Sequence, residues 1–331
     1  MPDAPKLIDL GALGAKVAAL APARPFPTTF LGFCSYIGVT LTPGQRVLCA
    51  VAYDGVEPRD LPPEDREISQ RIFGPIDTVP RAARGTLAVV AGARAGKSYV
   101  LVALRLVYGA LTRDLKSIAP GQKAVALVIA ANAKLRNEVV AYALGACRSH
   151  PLLATYIFLP KGKKEEDAAD SFGIRRPDGH LVMLEAGIAG RGGYGARGRS
   201  LTDAALDEAA FFRDSGFQVN DTAIYSAASP RVLPGGQTLV LSTPWAQSGL
   251  LYEMYSKNWG APKTTLVAHA PTLVLNDNQF VREMVARERE RDVDNAAREF
   301  DAVFMSGGTT SFFPASEIYG AVDKTIDCEA R

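Results

Sequence analysis

The chain has 331 residues, 47% hydrophobic and 22% charged, with a formal net charge of +2. This is the composition of an ordinary globular protein long enough to bury a substantial core. A near-neutral charge excludes a global field for nucleic acid, so any such contact must come from a local basic patch. The cysteines Cys34, Cys49, Cys147 and Cys328 have no CxxC spacing and read as reduced thiols. The three histidines, His150, His180 and His269, are isolated, which argues against a zinc site. The apolar stretch 7–23 contains Gly and Pro and lacks the layout of a signal peptide or a membrane span.

In chain order, residues 1–80 are rich in Pro and Gly and read as a helical N-terminal arm or small subdomain. Pro43-Gly-Gln-Arg46 opens a helix over 46–53, and the prolines 58–63 end that unit. From Arg84 the pattern changes. Thr86–Ala91 is an apolar run suited to a buried parallel strand, and Lys97–Leu111 is a helix apolar on most faces. Lys123–Ala131 is a second buried strand, and Asn132 caps a helix running to Cys147. Strand, helix, strand, helix implies right-handed parallel crossovers. Lys161–Asp170 is a charged, solvated loop. Ser171–Leu184 is a hairpin turning at Pro177-Asp-Gly179. A loop rich in Gly and Arg, 187–200, carries Arg191, Tyr194, Arg197 and Arg199 and leads into a strand ending at Asp207. Gln237–Ser242 is a further buried strand. After about residue 256 the parallel pattern fades into two amphipathic helices, Phe280–Arg291 and Asn295–Phe304, the second capped by Asp294.

Two segments carry chemistry. The first, Ala91-Gly-Ala-Arg-Ala-Gly-Lys-Ser98, lies between a strand and a helix, so the backbone N–H groups of Gly92, Ala93, Arg94, Ala95 and Gly96 can wrap phosphates at a helix N-terminus. Lys97 reaches the β/γ oxygens, and the Ser98 hydroxyl holds Mg²⁺. The second, Leu201–Glu208, ends a buried strand in two carboxylates. Asp207 holds the same metal through water, and Glu208 polarises the attacking water. Thr243, at the end of the next strand, is placed to sense the γ-phosphate. A Glu directly after the metal Asp, with an extra strand between the two motifs, points to the NTPase branch of helicases and DNA translocases. The fold expected is α/β: a P-loop NTPase of the RecA-like (ASCE) type, its mostly parallel sheet flanked by helices, with helical lid or linker elements from both termini.

The same motifs resemble the ATPase domain of the large terminase subunit, the DNA-packaging motor of tailed bacteriophages. The loop GARAGKS lacks the usual first Gly, as in that family. Ala196-Arg-Gly-Arg-Ser200 leading into Leu206-Asp-Glu-Ala-Ala-Phe211 resembles its Arg-Gly and Asp-Glu-Ala-Ala block. Leu239-Val-Leu-Ser-Thr-Pro244 with Gly249-Leu-Leu-Tyr252 is similar to its coupling motif, and Arg298-Glu-Phe300 with Phe312-Phe313 to the segment that links ATPase to nuclease. Leu41-Thr-Pro-Gly-Gln-Arg46 resembles the element whose glutamine, here Gln45, contacts adenine.

The resemblance implies ATP and Mg²⁺ as ligands and Arg197 acting on a neighbour's nucleotide, with Arg199 as the substitute. It also implies double-stranded DNA, a homo-oligomeric ring on a portal protein, a small terminase subunit and the host cytoplasm, with no membrane. It divides the chain into an arm (1–80), an ATPase core (81–256) and a lid or linker (257–331). The family's nuclease domain would follow; Asp323, Asp327 and Glu329 are too few and too crowded for its metal cluster, so an isolated motor without nuclease activity is expected. Two other readings stand beside it. A helicase or remodelling ATPase should carry a second RecA-like domain, and an assembly module would bind nucleotide with little turnover.

Overall fold

The computed structural model describes residues 25–119, 121–159, 170–190, 196–212 and 221–305. Arg191, Tyr194, Cys328, Phe312, Phe313, the late acids, the stretch 7–23 and nearly all of the 161–170 loop lie outside them.

Eight strands form one sheet: β1 (Thr86–Ala91), β2 (Ala124–Ala130), β3 (Ile157–Phe158), β4 (Ser171–Arg175), β5 (Leu181–Ile188), β6 (Ser200–Asp207), β7 (Thr238–Ser242) and β8 (Leu266–Ala270). Their spatial order is β3-β4-β5-β2-β6-β7-β1-β8. All neighbours from β5 to β8 are parallel; β3 and β4 complete an antiparallel edge. The phosphate-loop strand β1 and the Asp207 strand β6 do not touch. β7 lies between them, pairing Val90 with Ser242 on one side and Asp207 with Leu241 on the other.

The helices are α1 (Phe30–Tyr36), α2 (Pro43–Ala52), α3 (Pro63–Phe73), α4 (Arg105–Thr112), α5 (Ala133–Ser149), α6 (Pro151–Ala154), α7 (Asp221–Ala228), α8 (Leu250–Asn258), α9 (Thr272–Leu275), α10 (Gln279–Arg291) and α11 (Val293–Glu299). Alternate strand residues feed two cores. Leu87, Val89, Ala126, Val128 and Leu241 pack on one face with α1–α6, including Phe30, Phe33, Leu48 and Ile72 of the N-terminal helices. Ala88, Val90, Leu127, Leu206 and Val240 pack on the other with α7 and α8. Both sheet faces are therefore covered, which explains strands that read as continuous apolar runs.

Several expectations need correction. The parallel pattern does not end near residue 256: β8 joins β1 in parallel, its sequence LVAHA too short to stand out among the turns around it. The first N-terminal helix of the motif region starts at Pro43 rather than Arg46, because Thr42 and Gln45 close a reciprocal capping box with Pro43 at N1. The last described helix begins at Val293, capped by the Asp292 side chain on Asn295 N, and ends at Glu299. Asp292 outcompetes Asp294 because its backbone is extended, as a cap requires.

The segment after the phosphate loop is π-helical over Lys97–Leu104 before it continues as α4. It is docked on β6 through one carboxylate. Asp203 is fully buried, and its oxygens accept from Arg105 Nη2 (3.1 Å), from Arg113 Nε and Nη2 (both 3.2 Å) and from Gln237 N (2.9 Å). Arg105 also stacks over Tyr53, 4.8 Å from the ring centroid, which ties α2 to the same cluster. Gly109 is what lets the helix approach: a Cβ there would lie 1.8 Å from Asp203 Oδ2. In an open helix Gly→Ala stabilises by about 1 kcal/mol. Here the methyl must push a buried ion cluster aside, typically a loss of about 1–3 kcal/mol. Gly109→Ala is therefore expected to lower stability in denaturant unfolding, and a gain would show that the helix does not sit this close.

Candidate active site

Parallel strands place their C-terminal ends on one edge of the sheet, and β1, β7 and β6 deliver the chemistry there. Ala91 ends β1, Ser242 ends β7 and Asp207 ends β6. The phosphate loop leaves β1 and enters the helix at Lys97. Gly96 takes φ 87°, and a Cβ on it would lie 2.6 Å from Gln45 Nε2, so the loop can pass here only as glycine.

The Lys97 side chain is buried at 6% exposure. Its Nζ donates to the carbonyls of Ala91 and Gly92, each at 3.0 Å, and lies 3.7 Å from Glu208 Oε1. Ser98 Oγ donates to Asp207 Oδ2 at 3.0 Å. Asp207 is fully buried, and its other oxygen, Oδ1, accepts no hydrogen bond. Burial first, then the neighbouring Glu208 carboxylate, push the Asp207 carboxyl up to about 6, against the pull of Ser98 and Lys97. A hydroxyl beside a carboxylate whose second oxygen is buried without a donor is a hard-oxygen set suited to Mg²⁺, which keeps several waters and takes few protein ligands. Among the described residues no group of three or more His, Cys, Asp or Glu is placed to hold a metal ion.

Glu208 sits just past the end of β6 in the left-handed region (φ 57°, ψ 46°), where a non-glycine residue is held only by its surroundings. Its Oε2 accepts from Ser242 Oγ (2.8 Å), Thr243 N (3.2 Å) and Thr243 Oγ1 (3.4 Å). The carboxylate thus spans from the lysine to the end of β7, and Thr243 is buried beside it. Sequence singled out Thr243, but not Ser242, as a partner of the site. The register that sets Ser242 level with Glu208 belongs to the sheet and leaves no trace in the sequence.

Gln45 is brought under the loop. Its Nε2 donates to Ala95 O (3.1 Å) and its Oε1 accepts from Thr42 N (3.3 Å). Arg94 is exposed and adopts φ 63°. Ala93 N donates to Glu299 O (2.6 Å), and Gly92 N to Ala270 O (3.2 Å). A Cβ on Gly92 would lie 2.2 Å from Thr272 Oγ1, so this glycine serves the packing of the loop on the C-terminal residues. Arg197 is not brought to this edge. It precedes Ser200, and the seven steps of β6 from Ser200 to Asp207 span roughly 23 Å. Arg197 is exposed, and Arg199 is partly buried and ion-paired with Glu185 of β5.

No family profile and no curated protein match the chain. Solved structures do. It is similar to the large terminase ATPase domain of Thermus phage P74-26, with a TM-score of 0.51 and 16% identity over 83% of this chain and 98% of that one. An arginine-to-alanine mutant of the same domain gives 0.53 at 15% identity, with the same coverage. The large terminase of a thermophilic bacteriophage, in complex with ADP, gives 0.50 at 13% identity over 80% of this chain; the alignment spans 54% of that terminase. At such identities the likeness establishes the fold, a RecA-like P-loop domain.

The raised Asp207 pKa has a consequence for stability. The folded state binds this proton more tightly than the unfolded chain, so stability falls as pH rises from about 4 to about 6 and the full cost is present above that. A rise of that size corresponds to about 3 kcal/mol. Asp207→Asn, which keeps an acceptor for Ser98 and removes the charge, should raise the thermal midpoint of the ligand-free protein by several degrees at pH 8 and hardly at all at pH 4. Equal shifts at both pH values would contradict this reading of the carboxylate.

Proposed function

We propose that this chain is the ATPase domain of a large terminase subunit, hydrolysing ATP to drive double-stranded DNA into a viral procapsid. The observation that carries the reading is the convergence of Lys97, Ser98, Asp207, Glu208 and Thr243 at one sheet edge, on a fold shared with terminase ATPase domains. The phosphates lie at the N-terminus of the Lys97 helix, where unpaired N–H groups and the helix dipole favour anions. Lys97 exchanges its two carbonyl contacts for the β/γ oxygens. Ser98 and Asp207 would hold Mg²⁺, which would supply positive charge against the phosphate oxygens. Glu208 orients the attacking water, and Thr243 reports the γ-phosphate through the oxygen it shares with Glu208.

Gln45 takes the adenine. Its amide, bonded once through each end, still has one N–H and one lone pair for the base edge. Arg197 serves a neighbouring subunit's nucleotide in a ring seated on a portal protein. The length of β6 between it and its own Asp207 supports a role in trans. The small terminase subunit is the remaining partner. Among the described residues no helix is long and apolar enough to cross a membrane.

ATP hydrolysis measured with and without duplex DNA separates this reading from a slow nucleotide-binding module. Lys97→Ala should abolish turnover and weaken nucleotide binding, because the phosphates lose the loop's buried cation. Glu208→Gln should still bind ATP but hydrolyse it about two orders of magnitude more slowly. Normal turnover by the lysine variant would remove the phosphate-loop assignment.

Arg197→Ala should bind ATP normally and hydrolyse it poorly. Mixing it with Glu208→Gln should restore part of the activity, since some interfaces then pair an intact pocket with an intact arginine. No recovery on mixing would confine Arg197 to its own subunit or to DNA.

A further inference from the structure

Five consecutive carbonyls of the phosphate loop are each held by a side chain. Lys97 Nζ takes those of Ala91 and Gly92, Thr272 Oγ1 takes Ala93 (2.7 Å), Asn276 Nδ2 takes Arg94 (2.8 Å) and Gln45 Nε2 takes Ala95 (3.1 Å). In a trans peptide the N–H points opposite to the C=O. Fixing the carbonyls of residues 93, 94 and 95 therefore fixes the N–H groups of Arg94, Ala95 and Gly96. Among the described residues, the N–H groups from Arg94 to Ser98 donate to no carbonyl or side chain. They form a run of donors facing away from the three side chains that grip the loop, the arrangement that binds anions.

Two of those three grips come from the C-terminal part of the chain, and they flank a strained residue. Arg94 is a non-glycine in the left-handed region, a conformation that reverts unless its two adjoining peptides are constrained. The peptide before it is held by Thr272 and the peptide after it by Asn276. Thr272 is fully buried, and its own N–H donates to Phe300 O (2.7 Å), so the threonine is fixed before it fixes the loop.

We propose that Thr272 and Asn276 are positioning residues for nucleotide: they hold the peptides on either side of Arg94 so that the phosphate loop keeps its anion-binding shape without ligand. The inference rests on the nucleotide-site reading above and adds to it two residues more than 170 positions from the loop.

The test uses the whole chain, with Mg-ADP as probe in calorimetric titration and steady-state ATP hydrolysis beside it. Asn276→Ala, at a half-exposed position, should fold normally. It should raise the Mg-ADP dissociation constant about tenfold, the loss expected for one hydrogen bond. KM for ATP should rise with it and kcat should change less. Thr272→Val should do the same, and Thr272→Ser, which keeps the hydroxyl, should restore wild-type binding.

A purely structural role would lower the thermal midpoint and leave affinity alone. The Arg94→Gly background supplies the sharper readout. Glycine adopts the left-handed conformation without strain, so Asn276→Ala should cost less than threefold there. The proposal is overturned if Asn276→Ala binds Mg-ADP as wild type does, or if its tenfold loss persists undiminished in the Arg94→Gly background. Lys97→Ala separates the two levels. If it binds Mg-ADP normally, the nucleotide site itself is wrong; if it fails to bind while Asn276→Ala is unaffected, only the positioning role falls.

Discussion

Asp203 holds the molecule's working parts in register. It is a carboxylate with no contact to water, gripped by two guanidinium groups and one backbone N–H. Removing one partner of a buried ion pair typically costs about 3–5 kcal/mol, because the other charge is left stranded. The cluster joins the helix behind the phosphate loop to the middle of β6, and through Tyr53 and Gln237 to α2 and the start of β7. Four residues further along the same face of β6 stands Asp207, facing Ser98. The 3.0 Å approach of hydroxyl to carboxylate is thus set by an ion cluster lower on the same strand and helix.

The upper edge of the sheet then gathers charges that oppose one another. Asp207 and Glu208 are adjacent in sequence, and Asp207 is pushed up to about 6 partly by its neighbour. The chain separates them by giving Glu208 a left-handed backbone, which turns its carboxylate toward Ser242, Thr243 and Lys97 while Asp207 faces Ser98. One carboxylate is kept buried with a bare oxygen, and the other is held at the end of β7. The backbone strain at Glu208 and the raised pKa at Asp207 are both the kind of cost that accumulates where chemistry is done.

Much of this was legible in the sequence. Apolar runs bounded by turn residues gave β1, β2 and β7 within a residue or two, since strands covered on both faces carry no polar alternation to confuse them, and the paired carboxylates Asp207 and Glu208 marked the end of β6. Lys97, Ser98, Asp207 and Glu208 stood out because a phosphate loop with its metal would restrict residue type at fixed spacing, and the fold brings the four side chains together. What was hidden is what depends on register and long-range contact. Ser242 is level with Glu208 only because β7 lies between β6 and β1. Asp203 and Arg105 look like an unremarkable pair 98 positions apart. Thr272 opens a short helix and Asn276 follows its end, with no motif to mark them, yet both touch the loop. The five-residue strand β8 was lost because a single edge strand offers little periodicity. Gly92 was legible as a loop glycine, but its reason, close packing on Thr272, was not.

The π-helical opening at Lys97–Leu104 ties these scales together. A π turn accommodates more residues per revolution than an α turn, so it shifts the angular phase of everything downstream. Ser98 must face Asp207, and Arg105, seven residues later, must face Asp203 on the same strand. The winding of this segment therefore sets the angle between two contacts on one strand. Deleting one residue there with the winding unchanged would turn one contact away from β6 by roughly the advance of one helical residue, about 100° in an α-helix. Apolar exchanges within that stretch leave the phase intact, so for this segment residue count matters more than residue identity.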